Sequence, residues 1–191
     1  MQRPEYLRTT SILSPFTGVE FVPKEILAPA GKRGSDVHKI IEDRLNGFVY
    51  AVPEPYQGYL ESFDKFYKSH YAMFQGSIEI EKRLYCEKLK ITGQMDVIAR
   101  GVGQTVILDW KTSSRVQPSW AQQAAAYRYL ALENGYKDTE RLLMVKLSKD
   151  GRKPQIKEYD TYFDDLDIFM KCLDIYEHFE MWKRNGGRDG V

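Results

Sequence analysis

The stretch that decides the fold is ITGQMDVIARGVGQTVILDWK, residues 91–111. Apolar and polar residues alternate over 91–100 and again over 105–111, which predicts two strands. Gly101-Val102-Gly103-Gln104 lies between the two runs and predicts a hairpin turn. The two strands are therefore expected to be antiparallel neighbours.

The two acidic residues in this hairpin, Asp96 and Asp109, stand among apolar neighbours. Side chains at i and i+2 share one face of a strand, so Asp109 and Lys111 are expected to project together from an otherwise apolar strand end. Regular alternation in the preceding strand would place Met95 and Val97 on one face and Asp96 on the other. Antiparallel pairing then allows Asp96 and Asp109 to converge.

A converging carboxylate pair indicates a cation site, because two carboxylates repel each other unless positive charge lies between them. Oxygen ligands suit Mg²⁺ or Mn²⁺. Lys111 beside such a site could orient or deprotonate an attacking water and stabilise developing negative charge, which is the chemistry of phosphodiester hydrolysis. The competing interpretation is a solvated strand end with an ion pair between Asp109 and Lys111, in an ordinary α/β interaction protein.

Outward from the hairpin, the hydrophobic period alternates between helical and extended. A short helix is predicted around Arg8–Leu13, and a longer one starts at Gly34-Ser35-Asp36 and ends near Asn46-Gly47. Further helices are predicted over Tyr56–Tyr71, Pro118–Glu133 and Leu166–Trp182, and further strands over Ser77–Leu89, Arg141–Leu147 and Gln155–Tyr159.

This order of elements predicts a single α/β domain over 1–191, with a central mixed sheet flanked by helices. Within it, 1–33 is expected to be an irregular lead-in, 34–163 the catalytic core, and 164–191 a closing helix with a frayed tail from Asn185 to Val191.

Composition excludes several classes of protein. The chain has 191 residues, with 28 Lys+Arg against 27 Asp+Glu, so the net charge of +1 argues against a protein that coats nucleic acid by bulk charge. Cys86 and Cys172 are too few for a four-cysteine iron–sulfur or zinc site. Since no secretory signal or membrane-spanning run is visible, an intracellular, cytoplasmic protein is expected.

Four motifs in order resemble the RecB-like branch of the PD-(D/E)xK nuclease superfamily. They are Gly34…His38, Gly93-Gln94-Met95-Asp96, Asp109-Trp110-Lys111-Thr112 and Gln123…Tyr127. Arg8–Leu13 also looks like the segment ahead of the histidine helix in small members. Small exonucleases of phages and of mitochondrial genome maintenance look like small relatives of the chain, and the resemblance implies a restriction-endonuclease-like core.

The resemblance also implies site residues. His38, Asp96 and Asp109 would be metal ligands, together with the Trp110 carbonyl, and Lys111 would be the catalytic lysine. Gln123 and Tyr127 would contact nucleic acid or brace the site.

An additional acid is expected from the first strand of the sheet. Glu79 and Glu81 alternate with Ile78 and Ile80 and are predicted to share a face; Glu81 is slightly preferred. The proline of the superfamily's name is absent, since Met95 precedes Asp96.

The function implied is a metal-dependent DNA nuclease using Mg²⁺ or Mn²⁺, with an exonuclease on single-stranded or end-exposed DNA favoured. Such an enzyme would serve replication, recombination or repair, in a phage or a cell, with a separate protein partner or a second copy of itself. The alternatives are a structure-selective or nonspecific endonuclease of the same fold, and a nucleic-acid-binding module whose nuclease site is inactive.

Overall fold

The computed structural model describes residues 6–101 and 104–184, which form one mixed α/β unit. The strands are β1 (Leu7–Arg8), β2 (Ser77–Cys86), β3 (Ile91–Gly101), β4 (Gln104–Lys111), β5 (Thr139–Lys146) and β6 (Gln155–Glu158). The α-helices are α1 (Thr9–Leu13), α2 (Lys24–Leu45), α3 (Glu54–Ser69), α4 (Ser119–Glu133) and α5 (Tyr162–Arg184). Short 3₁₀ helices occur at Ser14–Phe16, Val19–Phe21 and Tyr71–Phe74.

The predicted fold class is confirmed, because helices flank a mixed six-stranded sheet. The predicted hairpin is present as an antiparallel β3–β4 pair, in which Gly101 faces Gln104. Its turn residues 102–103 lie outside the described residues, as does the predicted tail Asn185–Val191.

The sheet opens at one point along β3. β2 pairs with β3 from Ser77 to Cys86 except at Glu81, so the two other neighbours of β3 must share its opposite edge. On that edge β4 pairs only up to Val97, opposite Leu108, and β1 pairs in parallel at Ile91 and Thr92. Residues 93–96 therefore line a gap where β3 and β4 diverge, and Asp96 lies in this gap.

Each face of the sheet carries its own hydrophobic core. One core includes Trp120, Ala126 and Leu130 of α4 together with residues of α1 and α5. The other packs Phe63 of α3 and residues of α2 against Trp110 on β4. The protein thus has three layers, with α1, α4 and α5 on one face and α2 and α3 on the other.

The face assignment predicted for β3 is wrong. Met95 packs in the core beside α4, whereas Val97 packs in the core beside α2 and α3. The two lie on opposite faces because regular alternation breaks at Asp96. Glu81, which stands between the residues paired with Met95 and Val97, has a positive φ of 52° that breaks β2 at the same level.

Helix α2 begins ten residues earlier than the sequence indicates, at Lys24 rather than Gly34. The predicted irregular lead-in is therefore helical from residue 24 onward. Pro29 lies inside the helix, although proline lacks the amide hydrogen that a helix interior uses. Almost every side chain over 24–33 is exposed, so this part carries no apolar stripe.

No helix in the described part of the chain is both long enough and apolar enough to cross a membrane.

Candidate metal and nuclease centre

The site is built on the gap between β3 and β4. Where the two strands diverge, the Trp110 amide donates to Asp96 Oδ2 at 2.6 Å. The carboxylate of Asp96 thus accepts the hydrogen bond that a backbone carbonyl of β3 would accept in a regular sheet. Asp96 is buried at 5% exposure. A backbone amide therefore fixes one oxygen of this carboxylate and leaves the other facing away from β4.

His38 reaches the other oxygen of Asp96 from helix α2. Its Nδ1 lies 3.0 Å from Asp96 Oδ1. Burial lowers the pKa of the imidazole, but the charge and hydrogen bond of Asp96, aided by Asp109, outweigh burial and raise the pKa to about 9. In the metal-free protein, His38 is thus an imidazolium that compensates the acidic groups around it.

Glu81 completes a cluster with His38 and Asp96. Ligand atoms of the three side chains all lie within 4.8 Å of one another. Glu81 is held by Gln94, whose Nε2 donates to Glu81 Oε2, and Arg83 in turn donates to Gln94 Oε1. Burial and the charge of Asp96 both raise the pKa of Glu81 above its ordinary value. Glu81 and Asp96 therefore place more negative charge here than the single imidazole of His38 neutralises.

Asp109 and Lys111 lie on the neighbouring strand, where Gln123 of α4 links them. Lys111 Nζ lies 2.6 Å from Asp109 Oδ2 and donates to Gln123 Oε1 at 2.9 Å. Gln123 Nε2 donates to Asp109 Oδ1 at 3.1 Å and to the Tyr127 hydroxyl at 2.9 Å. Burial raises the pKa of Asp109, against the opposing charge of Lys111. Gln123 therefore fixes both charged groups at once.

The donor set fits a divalent cation. Asp109 Oδ2 is buried, and in the described structure no donor approaches it with hydrogen-bond geometry, although the Lys111 ammonium is close. One imidazole and two carboxylates converge nearby in His38, Glu81 and Asp96. Oxygen donors with one imidazole suit Mg²⁺ or, better, Mn²⁺. A depression of about 370 Å³ lined by Gly34, His38 and Glu81 gives solvent access to this cluster.

The structure brings most of the predicted site residues together. His38, Asp96 and Glu81 form the 4.8 Å cluster, while Asp109 faces Lys111 and Gln123 instead of joining it. The Trp110 ring is buried against α3, and its backbone amide is bound to Asp96. A role for its carbonyl stays a prediction.

Glu79 and Glu81 do not share a face, so that expectation is wrong. Glu79 forms ion pairs with Lys82 and Arg100 and accepts a hydrogen bond from Tyr136, whereas Glu81 faces His38. The positive φ of Glu81 turns its side chain out of the alternation with Glu79.

Two predicted nucleic-acid contacts are buried. Gln123 is 6% and Tyr127 3% exposed, and Tyr127 also bonds to Thr9 of α1. Burial raises the pKa of the Tyr127 phenol well above its ordinary value. Of the two predicted roles, this placement favours bracing the site over touching nucleic acid.

Sequence reasoning gave no role to Gln94 or Arg83, which together hold Glu81. Gln94 stands inside the Gly93–Asp96 motif, but its partner on β2 could not be known before the strand register was known.

A comparison with known protein families identifies one that the chain matches. A family model described as the PD-(D/E)XK nuclease superfamily matches residues 57–175. Comparison with curated protein sequences finds no match.

Two solved structures have a similar fold. One is a protein from Eubacterium rectale provisionally assigned as an exonuclease, with 14% identity, a TM-score of 0.63, and coverage of 99% of this chain and 89% of that chain. The other is the protein SSO0001, with 15% identity, a TM-score of 0.56, and coverage of 94% and 78% respectively. At these identities the likeness shows the fold alone.

Proposed function

The chain belongs to the PD-(D/E)XK nuclease superfamily, and from this premise we propose that it is a divalent-metal-dependent DNA nuclease. We further propose that it is an exonuclease, acting on single-stranded or end-exposed DNA inside the cell during replication, recombination or repair. The RecB-like branch is the part of the superfamily that its four motifs resemble.

One observation carries the proposal. His38, Glu81 and Asp96 bring their ligand atoms within 4.8 Å, and Lys111 lies beside them on the adjoining strand, already paired with Asp109. An ion pair on a solvated surface would need no buried glutamine linking its two members and no second cluster of acids next to it. A site that binds a cation and a phosphate would use both features, the acids to hold the cation and the glutamine to fix the lysine beside it.

Each residue has a role that follows from its contacts. His38, Glu81, Asp96 and Asp109 would hold Mg²⁺ or Mn²⁺, with the Trp110 carbonyl as a further ligand. When bound, the cation would neutralise the scissile phosphate and activate a water for in-line attack. Lys111 directs its ammonium toward the same region and stabilises negative charge that develops on the phosphate.

The residues behind the site preorganise it. Gln123 holds Lys111 and Asp109, and Gln94 holds Glu81, so all three charged groups are already positioned when substrate arrives. The preference for exonuclease rests on the resemblance to small exonucleases and on the provisional assignment of the Eubacterium rectale protein, whose fold is similar.

The test uses linear single-stranded DNA labelled at each end in turn, alongside closed circular single-stranded DNA, with Mg²⁺, Mn²⁺ or EDTA. We expect digestion of linear DNA only, in either metal and not in EDTA. Lys111→Ala should abolish it, whereas Lys171→Ala, a control on the exposed face of α5, should not. The order in which each label is released gives the polarity.

The alternatives are separate outcomes of the same assay. Cutting of the circle would replace the exonuclease with an endonuclease of the same fold. Absence of cutting of any DNA with either metal, in a protein that still binds DNA, would leave a binding module with an inactive site.

A further inference from the structure

A second groove, about 520 Å³ in volume, lies next to the nuclease site. It runs between α2, the chain after β4, and the β5–β6 connection. The side chains that line it include five cations, here called the basic groove: Arg33, Lys146, Lys149, Arg152 and Lys153.

Positive charge in the basic groove is poorly neutralised. Within residues 6–101 and 104–184, none of the five cations has a carboxylate within ion-pair distance, and Asp150 is the one acidic side chain of the lining. Arg33 Nε is buried without a hydrogen-bond partner in the same part of the chain. A buried donor without a partner is unfavourable, and an anionic ligand that accepts its hydrogen bond would remove that cost.

Two lysines are level with each other where β4 and β5 end, and one of them, Lys146, lines the groove. Lys111 and Lys146 are register partners on the parallel strands β4 and β5, so both side chains project from one face. Lys111 is paired with Asp109, whereas Lys146 forms no ion pair with an acid in the described part of the chain. Like charges on neighbouring strands are unfavourable, and a phosphate between them would relieve the repulsion.

The connection that carries three of the cations is fixed against α3. The Ser148 amide donates to Ser62 Oγ at 3.0 Å, and Lys65 Nζ donates to the Gly151 carbonyl. Gly58 packs so closely that a Cβ there would lie 1.8 Å from the Lys149 carbonyl oxygen. The cations are therefore mounted on a backbone that is already in place before a ligand binds.

The groove is continuous with the nuclease site. The Leu147 amide donates to the Lys111 carbonyl at 2.8 Å, and the next residue, Thr112, lines the groove. Helix α2 closes the same side, since a Cβ on Gly34 would lie 3.6 Å from Thr112 Oγ1. A chain of phosphates leaving Lys111 would enter the basic groove directly.

We propose that the basic groove binds the sugar–phosphate backbone of single-stranded DNA next to the scissile phosphate. The proposal rests on the nuclease function proposed above. The groove has the volume of a small-molecule site, which suits one strand. Lysine and arginine contacts to phosphates carry no base preference, so binding is independent of sequence.

The test measures the salt dependence of binding of a fluorescein-labelled oligothymidylate to the full chain, in EDTA so that no cleavage occurs. Each phosphate contact contributes about −0.7 to the slope of log K against log[salt] for single strands. Five contacts predict a loss of affinity of about 130-fold between 50 and 200 mM salt, and three contacts a loss of about 18-fold.

Lys149→Gln/Lys153→Gln is therefore expected to bind more weakly at low salt and to lower the slope by about 1.4. The matched control is Lys137→Gln/Lys171→Gln, which removes the same charge before β5 and on α5, away from the groove. It should keep the wild-type slope. Unfolding temperatures of both variants show that each is folded.

The proposal that the basic groove binds DNA would be refuted if Lys149→Gln/Lys153→Gln kept the wild-type slope. It would also be refuted if the control variant changed the slope equally. In that case digestion of linear DNA by the wild type would still uphold the nuclease function. If instead the wild type cuts no DNA but the groove variant lowers the slope as expected, DNA binding by the basic groove is supported and the proposed nuclease function is refuted.

Discussion

Gln123→Leu is the most informative single change in the protein. Gln123 is almost fully buried in α4 and makes three hydrogen bonds, with Lys111, Asp109 and Tyr127. Leucine has a similar size and a high helix propensity, so the helix and its apolar packing are retained while the amide is lost.

The cost follows from which groups lose a partner. A hydrogen bond to a charged group contributes about 1.5–3 kcal/mol, and one between neutral groups about 0.5–1.5 kcal/mol. Asp109 and Lys111 remain paired with each other at 2.6 Å, so only part of the stabilisation from their two hydrogen bonds to Gln123 is lost. We expect the free energy of unfolding to fall by about 2–4 kcal/mol. For a chain of this size, this lowers Tm by about 4–16 °C.

The rate of cleavage should fall together with the stability. Lys111 loses the bond that positions its ammonium, and a displacement of about 1 Å costs on the order of 100-fold in rate. KM should stay close to that of the wild type, because Gln123 is buried behind the site. The assays are thermal and urea unfolding in EDTA, and nuclease kinetics at saturating Mn²⁺.

The neighbouring substitution Gln122→Leu is the control. Gln122 lies on the same helix and donates one hydrogen bond, to Asp165 at 2.9 Å, outside the nuclease site. It should lose about 1 kcal/mol of stability and keep its kcat. If Gln123→Leu matched this control in both stability and kcat, the role assigned to the buried amide would be refuted.

Three further changes test the packing and the cation site. Gly93→Ala should lower stability by about 1–3 kcal/mol and reduce kcat, since a Cβ there would lie 2.8 Å from the Tyr127 ring; urea unfolding and kinetics measure both. Gly58→Ala should destabilise the protein at least as strongly, because the clash is with the Lys149 backbone, and should also weaken oligothymidylate binding. Mn²⁺ at about one hundred times its Kd should raise the free energy of unfolding by about 2.7 kcal/mol. Asp96→Asn should remove this metal-dependent rise in a thermal melt, and an equal rise in that variant would place the cation elsewhere.

The elements near the site were predictable because their patterns are local. Alternation over 105–111 identifies β4 and places Asp109 and Lys111 on one face, and the short connection makes β3 and β4 antiparallel. The helical spacing around His38 likewise identifies the part of α2 that contacts the core. In each case a buried stripe marks the element in the sequence.

What the sequence could not predict depends on tertiary contacts. The first ten residues of α2 bury almost nothing, so no stripe marks them, and Pro29 argues against a helix. The irregularity in β2 at Glu81 could not be predicted, because the residue with the positive φ is a glutamate and not the glycine that usually marks this conformation. That break decides whether Glu81 or Glu79 faces His38.

The net charge of the chain is only +1, but the charged side chains around Lys111 are unevenly distributed, with acids on one side and cations on the other. On one side Glu81 and Asp96 share a single imidazole, and on the other lie the five cations of the basic groove. A DNA strand without divalent metal would be attracted by the groove and repelled by the acids, since each field acts over roughly one Debye length. Binding in EDTA should therefore be weak and confined to the groove. A cation held by His38, Glu81 and Asp96 would reverse the sign of the acidic side, so that one strand is attracted along both sides of Lys111.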